Sequence, residues 1–300
     1  MLNAFGSSDL AIDLGTATTR VARGREGIYL RPSTSDSGRA LNRGVIVDAR
    51  AATEILRPMM QKRLRASLTR LRVLACAPSD VTPLERTSVR ACILEAGASS
   101  VIVVPEPLAA AVGSGIDIGC KYAKFLVDFG DGVTDCAVIR DGRIIASLAE
   151  RVGCSDLRRS IQGFLQSSYG VVISEAEAER LLRKIGFRRQ GEEFCRGTID
   201  GKAAQFPLSI APLHAELQPV IGRMLAPIKA LLRDIPASIG AEIIEDGIFL
   251  TGGGALLPGV RDAVATSAID TRVVDDPLGA VIRGAWTMLP FAATLSLWKA

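Results

Sequence analysis

The chain has 300 residues, 48% hydrophobic, 23% charged and 5% aromatic, a composition that builds one or two buried cores and excludes a disordered chain. Its net charge of +4 is carried by 29 Arg against 7 Lys and is spread along the chain apart from one cluster, so no nucleic-acid partner is expected. A single histidine, His214, and six cysteines without a Cys-x-x-Cys pair exclude a nitrogen/sulfur metal centre and histidine-based acid–base chemistry.

Most of the cysteines sit in apolar runs, as small core residues do, which reads as a reduced, cytoplasmic protein. The first nine residues are too short for a signal peptide. No apolar run reaches the 18 residues of a membrane span.

In chain order, the apolar residues Leu10, Ala11 and Ile12 lead into Asp13-Leu14-Gly15-x-x-x-Thr19, a short alternating stretch, a turn at Gly27 and the strand-like "IYLRP". Helical spacing follows over 49–70, then a buried-looking strand "RVLACAP". The next helix opens on a capping box, Thr82 with Glu85, and has Pro83 in its first turn. The strand "SSVIVVPEP" and the helix "PEPLAAAVGSG" complete this part. The first pattern then returns: Asp128-Phe129-Gly130-x-x-x-Thr134, a turn at Gly142 and "RIIASLAE", all displaced by 115 positions. Such a displacement marks an internal duplication. Helices are predicted over 155–170, 174–187, 211–235 and 237–246, with a polar, turn-rich patch over 188–209. The strand, three-glycine turn and helix start of "GIFLTGGGALLPGVRDAV" come next, and "DTRVVDDPLGAVIRGAWTML" closes as a strand, an acidic turn and a helix. The expected fold class is mixed α/β.

Three glycine-rich turns thus follow strands, at 13–19, 128–134 and 251–255. Glycines let backbone N–H groups approach an anion, and Thr16, Thr18, Thr19, Thr134 and Thr251 add hydroxyls. Asp13, Asp128 and Asp131 would repel a bare phosphate, and they make sense with a hydrated Mg²⁺ between them and the phosphates. Taken alone, each turn is equally a plain β-hairpin. Together, with two of them duplicated, they favour a phosphate clamp.

These turns, with "LTGGGALLPG" and "EPLAAAVGSG", resemble the actin, heat-shock-chaperone and sugar-kinase ATPase superfamily, and within it the bacterial actin MreB/Mbl family. "DLAIDLGTATTRV", "RGVIVDARAATEIL" and "RVGCSDLRRSI" resemble that family in the same order, so the likeness covers nearly the whole chain. The resemblance implies two ribonuclease-H-like lobes around ATP and Mg²⁺, slow ATP hydrolysis and self-assembly into filaments. It also implies a role with cell-wall or spore-wall synthesis proteins at the inner face of the cytoplasmic membrane. It places the first phosphate turn on Asp13, Gly15, Thr16, Ala17, Thr18 and Thr19. The second falls on Asp128, Gly130, Asp131, Gly132, Val133 and Thr134. The adenine and ribose turn falls on Gly252, Gly253, Gly254 and Ala255, with Glu179 also at the nucleotide. Glu106 matches the residue that positions the attacking water, alongside Asp13 and Asp128, which hold the metal through water; read by itself, Glu106 is equally an acid at a helix start.

The implied lobes are 1–140, with the closing helix at about 278–300 returning to it, and 141–277. The second divides into a part at about 141–172 and 245–277 and a smaller part at about 173–244. The small subdomain that the family carries in its first lobe is reduced here to about 32–43. This trimmed form, with its Arg-rich composition, resembles MreB-like proteins of filamentous, sporulating actinobacteria. Two further departures touch the nucleotide: Leu182 stands where the family usually has a lysine, and Asp131 stands where it usually has glycine. Membrane contact is implied for Leu2, Phe5 and Leu68. The stretch 57–72 holds six basic residues and no acid, which suits an anionic membrane surface or, equally, a solvated helix face.

Overall fold

The computed structural model describes residues 9–24, 27–61, 71–265 and 269–291. The chain opens with strands β1 (Leu10–Leu14), β2 (Thr18–Arg23) and β3 (Gly27–Pro32). Two small ribbons follow, β4 (Thr34–Ser35) with β5 (Gly38–Arg39), and β6 (Leu41–Asn42) with β7 (Val45–Ile46). Next come α1 (Ala49–Gln61), β8 (Arg72–Ala77), α2 (Pro83–Glu95), β9 (Ser100–Pro105) and α3 (Glu106–Gly113). The first sheet runs β3-β2-β1-β8-β9, antiparallel through the opening meander and parallel from β1 to β9.

The plan then repeats. Strands β10 (Lys124–Phe129), β11 (Thr134–Arg140) and β12 (Arg143–Glu150) form the second meander. After it come α4 (Cys154–Tyr169), α5 (Glu175–Ile185), the hairpin β13 (Glu192–Ile199) with β14 (Lys202–Ser209), α6 (Ile210–Asp234) and α7 (Ala237–Asp246). Strand β15 (Ile248–Thr251), a 3-10 turn Gly253–Leu256, α8 (Val260–Val264), β16 (Thr271–Val273) and α9 (Ala280–Met288) complete it. The second sheet runs β12-β11-β10-β15-β16, with the same directions as the first.

Both central strands are apolar on two faces, and the faces go to different cores. Leu10, Ile12 and Leu14 of β1 pack outward under α1 and α2, whereas Ala11 faces inward. Phe125, Val127 and Phe129 of β10 pack outward with α4 and α6, whereas Leu126 faces inward. The inner core holds α3 and α9 between the two sheets. Small residues make that layer possible: a Cβ on Gly113 would overlap Ala280 of α9, and one on Gly284 would overlap Ala109 of α3. Helix α9 also packs on β1, β2 and β8, so the end of the described chain lies against the first sheet.

The capping box forms as read: Glu85 N–H donates to Thr82 Oγ1 at 3.2 Å and Thr82 N–H to Glu85 Oε2 at 2.8 Å. The polar patch over 188–209 is corrected by the β13–β14 hairpin. Its signal is Asp200-Gly201, both at positive φ (49° and 76°), the dipeptide of a two-residue hairpin turn. The helix predicted over 49–70 is described only to Gln61. Leu2, Phe5 and Leu68, and most of the basic cluster with them, lie outside the described residues. No helix among the described residues is long and apolar enough to cross a membrane.

Candidate functional site

A cavity of about 630 Å³ opens between the two meanders, within the 300–1,000 Å³ of small-molecule sites. Its lining brings together Asp13, Gly15, Thr16, Ala17 and Thr18 from the first turn with Asp128, Gly130, Asp131, Gly132 and Val133 from the second. Gly252 and Gly253 of the third turn, Glu106 at the start of α3, and Glu179 and Leu182 of α5 line it as well.

Each turn is braced from behind. In the first, Ser33 Oγ donates to Gly15 O at 2.6 Å and Ser33 N–H to Ala17 O at 2.9 Å. In the second, Cys154 N–H donates to Gly130 O at 3.2 Å and Ser155 N–H to Asp131 O at 2.8 Å, which docks the turn on the first turn of α4. In the third, Gly252 N–H donates to Pro277 O at 3.1 Å. Gly252 sits at φ +79°, and a Cβ there would overlap Asp128 Oδ1, so only glycine lets this turn close on the carboxylate.

Three threonine assignments are corrected. Thr19, Thr134 and Thr251 are buried behind the cavity wall and their hydroxyls bond within the fold. Thr19 Oγ1 lies 3.0 Å from Ser33 Oγ, Thr134 Oγ1 donates to Val152 O at 3.0 Å, and Thr251 Oγ1 donates to Pro277 O at 3.2 Å. A buried hydroxyl must find a partner, and in a strand the nearest are backbone carbonyls. Gly254 and Ala255 are likewise buried and do not line the cavity. Asp131 does line the cavity, and its Oδ1 accepts from Arg158 at 2.7 Å.

Four carboxylates dominate the electrostatics: Asp13, Glu106, Asp128 and Asp135. Burial raises all four; repulsion then adds to the rise, from Asp13 and Asp128 at Glu106, from Asp135 and Asp13 at Asp128, and from Asp80 at Asp135. Asp128 and Asp135 are each pushed up to about 7. Glu106 is pushed well above the usual carboxylate range, first by burial and then by Asp13 and Asp128. Asp13 rises despite Arg20, whose Nη1 donates to Asp13 Oδ2 at 2.9 Å. Asp135 accepts from Ser79 N–H at 2.7 Å and Ser79 Oγ at 2.5 Å across the cleft.

Arg20, Asp135 and Arg158 were missed by sequence reading. The duplication carried a signal for the first two, because Arg20 and Asp135 occupy one position, seven residues after the turn's aspartate. Nothing in the sequence marks Arg158.

The chain that follows β3 runs along the cleft. Gly44 N–H donates to Thr16 Oγ1 at 2.9 Å, and Arg43 Nη2 reaches Asp156 Oδ1 at the start of α4, at 2.7 Å. Arg151 adds a further link between the halves, to Asp80 at 2.8 Å and Glu85 at 2.9 Å.

Comparison with known proteins agrees with this geometry. The family described as "MreB/Mbl protein" matches residues 32–296. The cell shape-determining protein MreB of Escherichia coli (strain K12) is 30% identical over 319 residues, covering 93% of this chain and 92% of that one. The cell shape-determining protein Mbl of Bacillus subtilis (strain 168) is 26% identical over 317 residues, covering 94% and 95%. Among solved structures, MreB 5 of Spiroplasma citri bound to AMPPNP superposes with a TM-score of 0.84 at 25% identity, covering 96% of this chain and 98% of that one. A MamK double helical filament superposes with a TM-score of 0.78 at 17% identity, covering 93% and 98%, a likeness of fold alone. With a duplicated meander, a cleft between the halves and a family match over most of its length, this chain belongs to the MreB/Mbl family of actin-like proteins.

Proposed function

We propose that this chain binds ATP with Mg²⁺ in the cleft, assembles with copies of itself into filaments, and organises cell-wall or spore-wall synthesis. One observation carries the nucleotide reading: two duplicated glycine turns face each other across a cavity whose lining holds seven acids and three arginines. A polyphosphate alone would be repelled by that wall. All of the acids are hard oxygen donors, the class that suits Mg²⁺. Among the described residues no three acids, cysteines or histidines converge on one point as direct ligands. The donors therefore fit an ion held mainly through water, with Asp13 and Asp128 as its anchors.

Mg²⁺ bound with the nucleotide would supply Lewis-acid charge to the phosphoryl oxygens. The chain's own part is positioning. Backbone N–H groups at Gly15–Thr18 and Asp131–Val133 face the phosphates, while Gly130 N–H closes the turn on Val133 O at 2.9 Å. Glu106, held at the start of α3, orients the attacking water; burial and then Asp13 and Asp128 push its carboxyl up, and positive charge bound beside it would oppose that rise. Filament assembly is supported by the family and by the MreB- and MamK-like fold. The lobe division at 140, with α9 returning to the first lobe, is part of the proposal and is supported by the packing of α9 on β1, β2 and β8. Membrane attachment through Leu2, Phe5 and Leu68 belongs to it as well. Its check is liposome co-sedimentation, which deletion of Leu2 and Phe5 should weaken.

Electron microscopy and pelleting of the purified protein with and without ATP and Mg²⁺ test the main reading. Filaments that need nucleotide are expected. Absence of assembly under every nucleotide, with phosphoryl transfer to a sugar instead, would replace it with a small-molecule kinase. A second reading, a nucleotide-binding scaffold with little hydrolysis, is favoured by Leu182, which puts an apolar side chain on the cavity wall. Phosphate release measured on Glu106→Ala decides between them: loss of release is expected, and unchanged release with assembly intact would establish the scaffold.

A further inference from the structure

Two acids of the cavity wall, Asp131 and Glu179, meet around one side chain. Arg158, on the first turns of α4, reaches into the cavity with its side chain only 12% exposed. Its Nη2 donates to Asp131 Oδ1 at 2.7 Å and its Nη1 to Glu179 Oε2 at 2.9 Å. The guanidinium therefore stands between the second phosphate turn and α5. Leu182, three positions on from Glu179, lines the same wall. The other two arginines of the cavity are placed differently. Arg20 is engaged by Asp13, and Arg183 is 74% exposed at the rim, bonded to Glu179 at 2.6 Å.

A guanidinium carries five N–H donors in a rigid fork. The two carboxylates engage one donor on each terminal nitrogen and leave the others available. They also fix the side chain in advance, so little rotamer freedom is lost when a ligand arrives. Planar, partly desolvated guanidinium is the group suited to phosphate oxygens.

We propose that Arg158 is a polyphosphate-binding residue of this cleft: its guanidinium contacts the phosphate chain of a nucleoside di- or triphosphate at the end nearest α5. The inference rests on the nucleotide reading above. Its rival is that Arg158 only neutralises Asp131, Glu179 keeping Arg183 as a second partner. Removing the acid together with the arginine separates the two.

The experiment is calorimetric titration of ATP and of ADP, each with Mg²⁺, into wild type, Asp131→Gly, Arg158→Met and the double variant Asp131→Gly/Arg158→Met. Thermal melts without nucleotide serve as the folding control. Arg158→Met is expected to weaken both ligands by roughly ten- to a hundredfold, the scale of one charged hydrogen-bonding contact. The double variant is expected to stay at least about fivefold weaker than Asp131→Gly. Binding by the double variant equal to that of Asp131→Gly overturns the proposal and leaves the nucleotide reading standing. A wild type that binds neither ATP nor ADP overturns both. If Arg158→Met fails to fold, the double variant, which leaves no unpaired Asp131, carries the decision against Asp131→Gly alone.

Discussion

The two meanders share a backbone and differ in the charge that faces the turn's aspartate. In the first, the register sets Arg20 opposite Asp13; in the second, the same register sets Asp135 opposite Asp128. Opposed positions on adjacent antiparallel strands bring side chains close, so the first hairpin is neutralised from within while the second opposes like charges. Burial lifts Asp128 and Asp135 each to about 7, and repulsion adds to it, from Asp135 and Asp13 at Asp128 and from Asp80 at Asp135. Duplication thus preserved the frame and divided the labour. One hairpin carries its own counter-charge, and the other leaves a deficit that a cation bound in the cleft would fill.

The largest expected effect comes from making the first hairpin resemble the second. Arg20→Met leaves Asp13 buried without its partner and should lower the stability of the nucleotide-free protein by about 3 kcal/mol, the scale for breaking a largely buried pair. Urea unfolding at pH 8 measures it. A loss below about 1 kcal/mol would mean that the two hairpins do not differ in how their charge is balanced.

A smaller effect, of opposite sign, comes from relieving the second hairpin. A carboxyl whose pKa is raised by folding binds more protons folded than unfolded, so its stability contribution is present below about pH 4 and is lost as pH rises through about 7. The nucleotide-free wild type should therefore be more stable at pH 5 than at pH 8. Asp135→Asn, which mimics the protonated form and still offers Ser79 an acceptor, should gain about 1–2 kcal/mol more at pH 8 than at pH 5. Equal gains at both pH values would argue that packing, not charge, sets the difference.

The smallest stability effect is expected at the link between the halves. Arg43 is 39% exposed where it meets Asp156, so Arg43→Ala should cost only a few tenths of a kcal/mol. Its readout is kinetic. Release of a fluorescent ATP analogue in stopped flow should quicken several-fold, because the link ties the chain beside the first turn to the helix that seats the second. An unchanged release rate would remove Arg43 from any part in closure.

The sequence by itself determined the repeat and most of the backbone. Asp13 and Asp128 in matching frames, glycines that close tight turns, and apolar runs long enough for strands buried on both faces are local patterns, and local patterns survive without coordinates. The capping box at Thr82 and Glu85 formed as read for the same reason. The β13–β14 hairpin was legible in Asp200-Gly201 but was outweighed by the polar residues around it, which belong to a ribbon with only partial cover.

What tertiary structure alone decided is where side chains point and what they meet. Thr134 sits in a phosphate-turn pattern, yet its hydroxyl satisfies Val152 O inside the wall, because a buried donor takes the partner that packing brings within reach. Asp131 was readable as an acid beside phosphate. Its counter-charge, Arg158, lies 27 positions away on another element, and no periodicity connects the two. Sequence spacing fixes neighbours along one element. Charge balance in a cleft is settled among elements, where burial makes a distant partner decisive.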